Sequence, residues 1–378
     1  MRYVSLLLHI YQPPTQDISM VRRIDRECYT PLTGLLVETG AEIALNINYS
    51  LTEKLAEMES PSIENLRRAR GVEFTDSGAY HPIFPLIGKE EILRQLRLNR
   101  EGNRALLGDR YRPTGVFPPE MAYSRDLPAV LAQAGYSWTV TDDIPWSAEG
   151  GEVPFDRVLG SKGISVLLRS NFWSNRISFH GQRGDETALE LLSGLESWAG
   201  DEDAYVLIAM DGETYGHHRR GMIENFLAPF IHQLKSSPDA QLVPPGRLTE
   251  LFPPQEAAVP DGSWSTTAAD CAAGKPWPLW YDRDNPVHIS LWELLRKVLG
   301  LARGCESERV AKLADMMLYS CPFWWASEGR FDAVQVRRGI LAVLRTAIAA
   351  CEEMNDCHAM DDIMESACSI PVITGKDS

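Results

Sequence analysis

Two carboxylic acids in this sequence each follow a short apolar segment that is typical of a buried strand. Glu120 comes after segment 114–118, and the prolines at positions 118 and 119 restrict the backbone just before it. Asp211 comes after segment 204–210 (AYVLIAM), where an acid must leave the core or find polar partners. Two carboxylates can cleave or transfer a glycosidic bond, because one attacks the anomeric carbon while the other protonates the leaving oxygen.

The separation of such a pair decides the stereochemical outcome. The carboxyl groups of retaining enzymes lie about 5–5.5 Å apart, whereas inverting enzymes leave roughly 6.5–9.5 Å for a water molecule. The acid also needs a raised pKa at neutral pH, which burial beside a second carboxylate can supply. For retaining chemistry, we expect the carboxyl groups of Glu120 and Asp211 to lie at the shorter separation, with a raised pKa on the acid.

Histidines lie at two further strand ends. His9 ends the first predicted strand and His81 follows the third. In a parallel barrel the C-terminal ends of all strands open on one face, so we expect these histidines and both acids to converge there. Each residue alone has a commoner structural explanation, since a loop acid often caps a helix and a lone histidine is usually a hydrogen-bonded core residue. Their convergence, rather than any one of them, predicts an active site.

The elements that would position these residues are seven strand-like segments separated by helical patterns. They are segments 3–8, 41–48, 72–77, 114–118, 136–140, 164–169 and 204–210. Helices are predicted at 15–38, 52–69, 89–107, 125–134, 186–198 and 225–234. This alternation is typical of a parallel sheet with crossover helices, and seven such units favour an incomplete (β/α)7 barrel. The sequence contains neither a GxGxxG nor a GxxxxGK[ST] stretch, so no nucleotide-binding motif favours a flat sheet instead.

The pattern changes after about residue 250. We predict a barrel catalytic domain over 1–255, followed over 256–378 by a loop-rich insertion and a C-terminal α-helical region that completes the site. Helices are expected at 289–302, 307–319, 332–354 and 358–368. Segment 263–286 contains three tryptophans, which could either bind sugar or pack the loop onto the barrel.

Composition narrows the classes of partner and location. The net charge is -15, which disfavours binding to nucleic acid. Seven cysteines without a CxxC pair indicate neither a disulfide framework nor a zinc ribbon. No apolar stretch approaches the roughly 20 residues of a membrane span, and the N-terminal apolar run is too short for a signal peptide. We therefore expect a cytoplasmic protein that binds no membrane.

Five motifs together resemble glycoside hydrolase family 57, in the order that is typical of that family. The match spans about residues 5 to 330. The motifs are 9–13 (HIYQP), 80–87 (YHPIFPLI), 115–120 (GVFPPE), 210–216 (MDGETYG) and 320–325 (SCPFWW).

The resemblance implies a fold, a reaction and a set of roles. The fold is an incomplete (β/α)7 barrel with a helical C-terminal region. The reaction is retaining hydrolysis or transglycosylation of α-glycosidic bonds, chiefly in α-glucans, with no metal or other cofactor. Glu120 matches the family's nucleophile and Asp211 its general acid/base. Substrate-binding roles fall to His9, Tyr11, Gln12, His81, Glu213, Trp324 and Trp325, and the partner is an oligo- or polysaccharide.

The sequence departs from the family in two motifs. The family usually has a second histidine where this chain has Tyr11, and Pro322 and Phe323 replace a region that often contains an acidic residue. These changes leave the identity of the α-glycoside open among amylase-like hydrolysis, 4-α-glucanotransfer or branching, and α-galactosidase activity. The oligomeric state is not determined by the sequence.

Two other classes of function remain as alternatives. A non-catalytic carbohydrate-binding protein could use the same fold. A metal-dependent carbohydrate deacetylase would need an Asp and two histidines, for which Asp142, Asp143, His217 and His218 are the candidates. Neighbouring histidines on a helix point to different faces, so they make a poor pair of metal ligands.

Overall fold

A computed structural model describes residues 1–355 and 358–371 of the 378-residue chain. Its strands are β1 (Arg2–Ile10), β2 (Ala44–Ile47), β3 (Glu73–Thr75), β4 (Gly115–Val116), β5 (Trp138–Asp142), β6 (Val158–Ser161), β7 (Ile164–Arg169), β8 (Ala204–Asp211), β9 (Ala240–Leu242) and β10 (Pro254–Glu256). Its helices are α1 (Ile18–Ile24), α2 (Thr30–Thr39), α3 (Tyr49–Glu57), α4 (Pro61–Arg68), α5 (Lys89–Leu107), α6 (Leu127–Gln133), α7 (Asp143–Ala148), α8 (Asn171–Asn175), α9 (Gly184–Ala199), α10 (Ala228–Ser236), α11 (Pro245–Leu251), α12 (Ala268–Ala272), α13 (Pro286–Arg303), α14 (Glu308–Met316), α15 (Cys321–Trp324), α16 (Ala333–Met354) and α17 (His358–Ser369). Three π-helical turns adjoin α helices, at Asp25–Tyr29, Arg176–His180 and Ile223–Leu227.

Seven parallel strands form the barrel. One sheet has the order β3-β2-β1-β8, and a second contains β4, β5 and β7 with the outer strands β6 and β10. A single parallel bridge between Asp76 and Val116 joins β3 to β4, and the Ser170 N–H donates to Leu207 O at 2.8 Å between the end of β7 and β8. No continuous ladder spans either junction between these described strands, so the structure is an incomplete (β/α)7 barrel.

The alternation of side chains along β1 places His9 inside the barrel. Val4, Leu6, Leu8 and Ile10 pack outward in the cluster formed with the surrounding helices, whereas Tyr3 and Leu7 belong to the cluster inside the barrel. All nine residues of β1 are buried, which is expected for a strand covered on both faces.

A helical region, α13 to α17, lies beside the barrel and has a core of its own. Two ion pairs connect it to the barrel helix α5. Arg94 contacts Asp315 at 2.6 Å, and Arg303 contacts Glu91 at 2.6 Å. Asp315 is almost fully buried, so this network fixes the position of the helical region next to α5.

The seven barrel strands and the long helices were predicted from the sequence, but some elements differ. The predicted helix 52–69 was wrong, because it is two helices separated at Ser60. The Ser60 hydroxyl accepts from the Ser62 N–H at 3.1 Å, and Pro61 begins α4 as an N-terminal residue. The short strands β6, β9 and β10 were not predicted, since three or four residues give too weak an alternation.

Within residues 1–355 and 358–371, no helix is both long enough and apolar enough to cross a membrane.

We expect Gly216→Ala to lower the free energy of unfolding by about 2–3 kcal/mol, because it combines an unfavourable φ with a clash against backbone. Gly216 has φ +126° in the turn after β8, and a Cβ there would lie 1.9 Å from Glu27 O. Gly40→Ala is the matched control, since Gly40 has φ +56° with nothing within 4 Å of its Cβ position. Denaturant midpoints of both variants measure the difference, and equal losses would contradict the clash.

Candidate active site

His9 and Asp211 lie opposite each other on neighbouring strands. β1 pairs with β8 in parallel, and their register aligns these two residues at the C-terminal ends. Because His9 lies inside the barrel and the register is fixed, Asp211 lies at the mouth of the same interior. The turn after it is tight, since a Cβ on Gly212 would lie 2.5 Å from Ile10 Cγ2.

Two of the sequence-predicted site residues adopt left-handed backbone conformations. Glu120 has φ +60° and His81 has φ +61°, and Met121 beside Glu120 has φ +48°. Non-glycine residues in this region cost of order 1–3 kcal/mol each, and such strain clusters at functional sites. The backbone at both residues therefore departs from the extended conformation of the preceding strand.

Glu120 and Asp211 line one large cavity. Its volume is about 1670 Å³, beyond the roughly 300–1,000 Å³ of a usual small-molecule site. Burial, followed by the negative charge of Asp211, raises the pKa of Glu120 to about 8. Burial also raises the pKa of Asp211, although the positive charge of Arg169 opposes that shift. Two partly buried acids with raised pKa values in a cleft are suited to proton transfer.

Trp264 contacts Glu120 directly. Its indole Nε1–H donates to Glu120 Oε2 at 2.8 Å, and its backbone N–H donates to Glu120 O at 3.3 Å. The same ring lies edge-on to His9 and Phe117. The loop that contains Trp264 therefore belongs to the wall of the site and holds the Glu120 carboxyl in one orientation.

A chain of hydrogen bonds connects His9 and His81 to both sides of the site. His9 Nδ1 lies 2.7 Å from Asn46 Oδ1, the two Nε2 atoms are 3.2 Å apart, and His81 Nδ1 lies 2.8 Å from Ser320 Oγ. One consistent assignment has His9 Nδ1–H donating to Asn46, His81 Nε2–H donating to His9, and Ser320 donating to His81. Burial lowers the pKa of both histidines, which agrees with neutral rings.

Aromatic rings stack beneath these groups. Tyr11 lies on His81 with centroids 4.0 Å apart and planes 12° apart, and His9 lies on Phe117 with centroids 4.7 Å apart. The Tyr11 hydroxyl is 3.7 Å from Cys321 Sγ. Tyr11 stands where the resemblance to the family leads one to expect a second histidine, and its hydroxyl faces the Cys321 thiol.

Glu213 accepts two hydrogen bonds on one oxygen. Its Oε1 receives the Tyr11 backbone N–H at 3.1 Å and the Tyr29 hydroxyl. Gln12 supports this arrangement, because its Nε2 donates to Tyr29 at 3.1 Å and its Oε1 accepts from Gln16 at 3.0 Å. Burial and the charge of Asp211 raise the pKa of Glu213 to about 8. Gln12 therefore orients Tyr29 and Glu213.

Trp324 and Trp325 lie in and just after α15, in the helical region. Both line the cavity, with their rings edge-to-face and centroids 4.5 Å apart. All nine residues named from the sequence as catalytic or substrate-binding thus lie along this one cavity or in contact with its lining. His81 alone does not line it directly, and contacts Tyr11, His9 and Glu120 from behind.

Three further residues of the site were not identified from the sequence. Arg169 ends β7, where its Nε–H donates to Ala209 O at 2.8 Å and its guanidinium pairs with Asp142. The strand-end rule that found His9 applies to Arg169 equally. Trp264 was left undecided between packing and binding. Tyr29 lies within a predicted helix and gave no signal.

The candidate ligands for a deacetylase metal do not form one cluster. Asp142 pairs with Arg169, and Asp143 accepts the Asn171 N–H at 3.2 Å. His217 pairs instead with Glu27 at 2.7 Å. Within residues 1–355 and 358–371, no three His, Cys, Asp or Glu side chains are grouped so that they could hold a metal ion.

The sequence matches a known family and several curated relatives. The sequence model of glycosyl hydrolase family 57 matches residues 7–260. An alpha-amylase of Pyrococcus furiosus is 26% identical over 55% of this chain and 32% of its own length. Alpha-amylase 1 of Dictyoglomus thermophilum is 24% identical over 62% of this chain and 35% of its own length. The chain spans about a third of the length of these curated relatives.

Solved structures share the fold. A family 57-type branching enzyme of Pyrococcus horikoshii has a TM-score of 0.76 at 14% identity, covering 99% of this chain and 96% of that one. A 4-alpha-glucanotransferase of Thermococcus litoralis has a TM-score of 0.75 at 17% identity, covering 91% and 59% respectively. At these identities the likeness shows the fold alone. Because the family match extends over more than half of the sequence, the chain belongs to glycosyl hydrolase family 57.

Proposed function

We propose that this protein is a retaining glycoside hydrolase or transglycosylase that acts on α-glycosidic bonds, with α-1,4-glucans as its substrates. Glu120 is the nucleophile and Asp211 the general acid/base. The observation that carries the proposal is the meeting of these two partly buried carboxyls in one large cleft. The relatives named as amylases, and the branching and transferase names of the structural neighbours, support α-glucans.

The proposed reaction has two displacements. Glu120 bonds to the anomeric carbon while Asp211 gives its proton to the departing glycosidic oxygen. Asp211 then takes a proton from water or from an acceptor sugar hydroxyl, whose oxygen displaces Glu120. The barrel over 1–255 would supply both acids, and the region over 256–378 would complete the cleft. A cytoplasmic location stays a prediction.

The proton must rest on Asp211 when the reaction starts. The Trp264 N–H donates directly to Glu120, and a donor stabilises the ionised carboxylate. Arg169 stabilises an ionised Asp211 instead. The two carboxyls therefore compete for the proton, and we propose that a bound sugar, with its developing positive charge near Glu120, draws the negative charge to that side.

Product analysis tests the proposal. The protein is incubated with maltoheptaose and, separately, with an activated aryl α-galactoside. Shorter glucans alone would support hydrolysis, and longer glucans would support transfer. Turnover of the galactoside alone would contradict α-glucans as the substrate and favour α-galactosidase activity. Binding of glucan without turnover at high protein concentration would contradict the enzyme and favour the carbohydrate-binding alternative.

We expect Tyr29→Phe to move the basic limb of the kcat/KM profile to lower pH by about one unit. The Tyr29 hydroxyl stabilises ionised Glu213, so its loss lets Glu213 keep the proton that Asp211 needs. A hydrogen bond to a charged group contributes about 1.5–3 kcal/mol, and one pKa unit is about 1.4 kcal/mol. Tyr215→Phe is the control, because the Tyr215 hydroxyl contacts Met210 Sδ at 3.3 Å. Equal shifts in both variants would contradict this role.

A further inference from the structure

Two large aromatic side chains are exposed in one segment, the rim, that borders the cleft. Phe172 is 62% exposed and Phe179 is 69% exposed, more than any other aromatic side chains described as exposed. Phe172 is in α8 and Phe179 is in the π-helical turn Arg176–His180 that continues it. Leaving two large rings of one short segment in water forgoes the stabilisation of burying them, and exposed apolar patches often mark binding sites.

The segment that holds these rings is rigidly fixed to the catalytic barrel. Asn175 accepts from Arg169 at 2.9 Å and donates to Asn171 at 2.9 Å, and the Ser170 hydroxyl caps α8. Trp173 packs into the barrel's outer core and holds the Phe172 ring edge-on, with centroids 5.2 Å apart. The rings are therefore presented by a supported helix, and not by a loose loop.

The rim is continuous with the catalytic cavity. Phe179 lines the cavity together with Asn171, Asn175 and Ser178, whereas Phe172 follows Asn171 in the chain just outside the lining. Phe172 and Phe179 are seven residues apart, which corresponds to about 10 Å along a helix axis. A chain that leaves the cavity at Phe179 can run on toward Phe172.

We propose that Phe172 and Phe179 form a binding platform for the part of an α-glucan chain that extends out of the cleft. The inference rests on the proposed function. Pyranose rings have apolar C–H faces that pack on aromatic rings, while their hydroxyls stay in water. The neutral platform needs no charge on its ligand. It would favour polymers over short oligosaccharides, because only a long chain reaches both the catalytic carboxyls and the rim.

The experiment measures binding in the inactive Glu120→Gln background, so that the polymer is not consumed. Retardation by soluble amylose in native gels gives a dissociation constant, and maltotriose is titrated separately. We expect the double change Phe172→Ala and Phe179→Ala to weaken amylose binding about tenfold and maltotriose binding less than twofold. Replacing both residues by tyrosine should restore amylose binding, because the aromatic faces remain.

Trp198→Ala is the matched control, because Trp198 is 47% exposed at the end of α9 and does not line the cavity. Unchanged amylose binding in the double variant would overturn the platform while leaving the proposed function intact. A change only in sedimentation, with amylose binding retained, would overturn it in favour of contact with a second copy. Failure of the Glu120→Gln protein itself to bind amylose would instead contradict the glucan substrate.

Discussion

Glu120→Gln is expected to lower kcat on maltoheptaose by at least about a thousandfold while the protein stays folded. Glutamine keeps the volume of the side chain and can still accept the Trp264 N–H. It cannot form the glycosyl ester, because a neutral amide is a far weaker nucleophile than a carboxylate. The change also removes a buried acid whose pKa is raised to about 8, so we expect no loss of thermal stability.

Two comparisons separate a nucleophilic role from a structural one. Glu73→Gln makes the same change at the first residue of β3, at the end of the barrel away from the cleft, and should retain turnover; its carboxylate accepts the Gly246 N–H at 3.0 Å. Glu120→Ala with added azide should regain turnover of an activated α-glycoside and yield a product of inverted configuration, because one displacement replaces two. A wild-type kcat in Glu120→Gln would contradict the role of Glu120 as the nucleophile.

Asp211→Asn is expected to slow the cleavage of substrates with poor leaving groups far more than that of substrates with good ones. Cleavage of maltoheptaose should fall by about a hundredfold to ten-thousandfold, because the departing sugar oxygen needs a proton. An activated aryl α-glycoside should lose much less in the first step, since its phenolate departs without protonation. The ratio of the two rates in one variant is an internal control for misfolding, which would lower both.

The same variant should also change the pH dependence. Burial raises the pKa of Asp211 in the native protein, so the proposed acid keeps its proton to higher pH than an exposed carboxyl and loses it as pH rises. With Asn at this position, the basic limb for the first step on the aryl substrate should disappear. Equal losses on both substrates, with the limb retained, would assign the proton donor elsewhere, and Glu213 would be the next residue to test.

The sequence alone determined the fold class and the residues that converge. Seven apolar segments separated by helical patterns predicted the parallel barrel, because a short apolar run and a helical periodicity are both local properties of the sequence. The strand-end rule identified His9, His81, Glu120 and Asp211 for a similar reason, since parallel strands all end on one face. The motif order then connected them to the family, which the match over residues 7–260 confirms.

Only the tertiary structure decided how these residues contact one another. The sequence did not show that Tyr29 donates to Glu213, because these residues are 184 positions apart and meet only through packing. The contact of Trp264 with Glu120 spans 144 positions and depends on where a long loop lies against the barrel. The left-handed backbone at Glu120 and His81 likewise has no local cause, since glycine would be the local choice.

The exposure of the rim residues was likewise decided by the tertiary structure. From the sequence, Phe172 and Phe179 could equally belong to the buried face of a helix. Their exposure follows from which face of α8 and of the π-helical turn after it the barrel covers. Local sequence therefore specified the elements and the chemical groups, since backbone preference and burial pattern act over a few residues. The pairing of those groups, their pKa values and the shape of the cleft arose from long-range packing, because only folding brings distant charges and donors within a few ångströms.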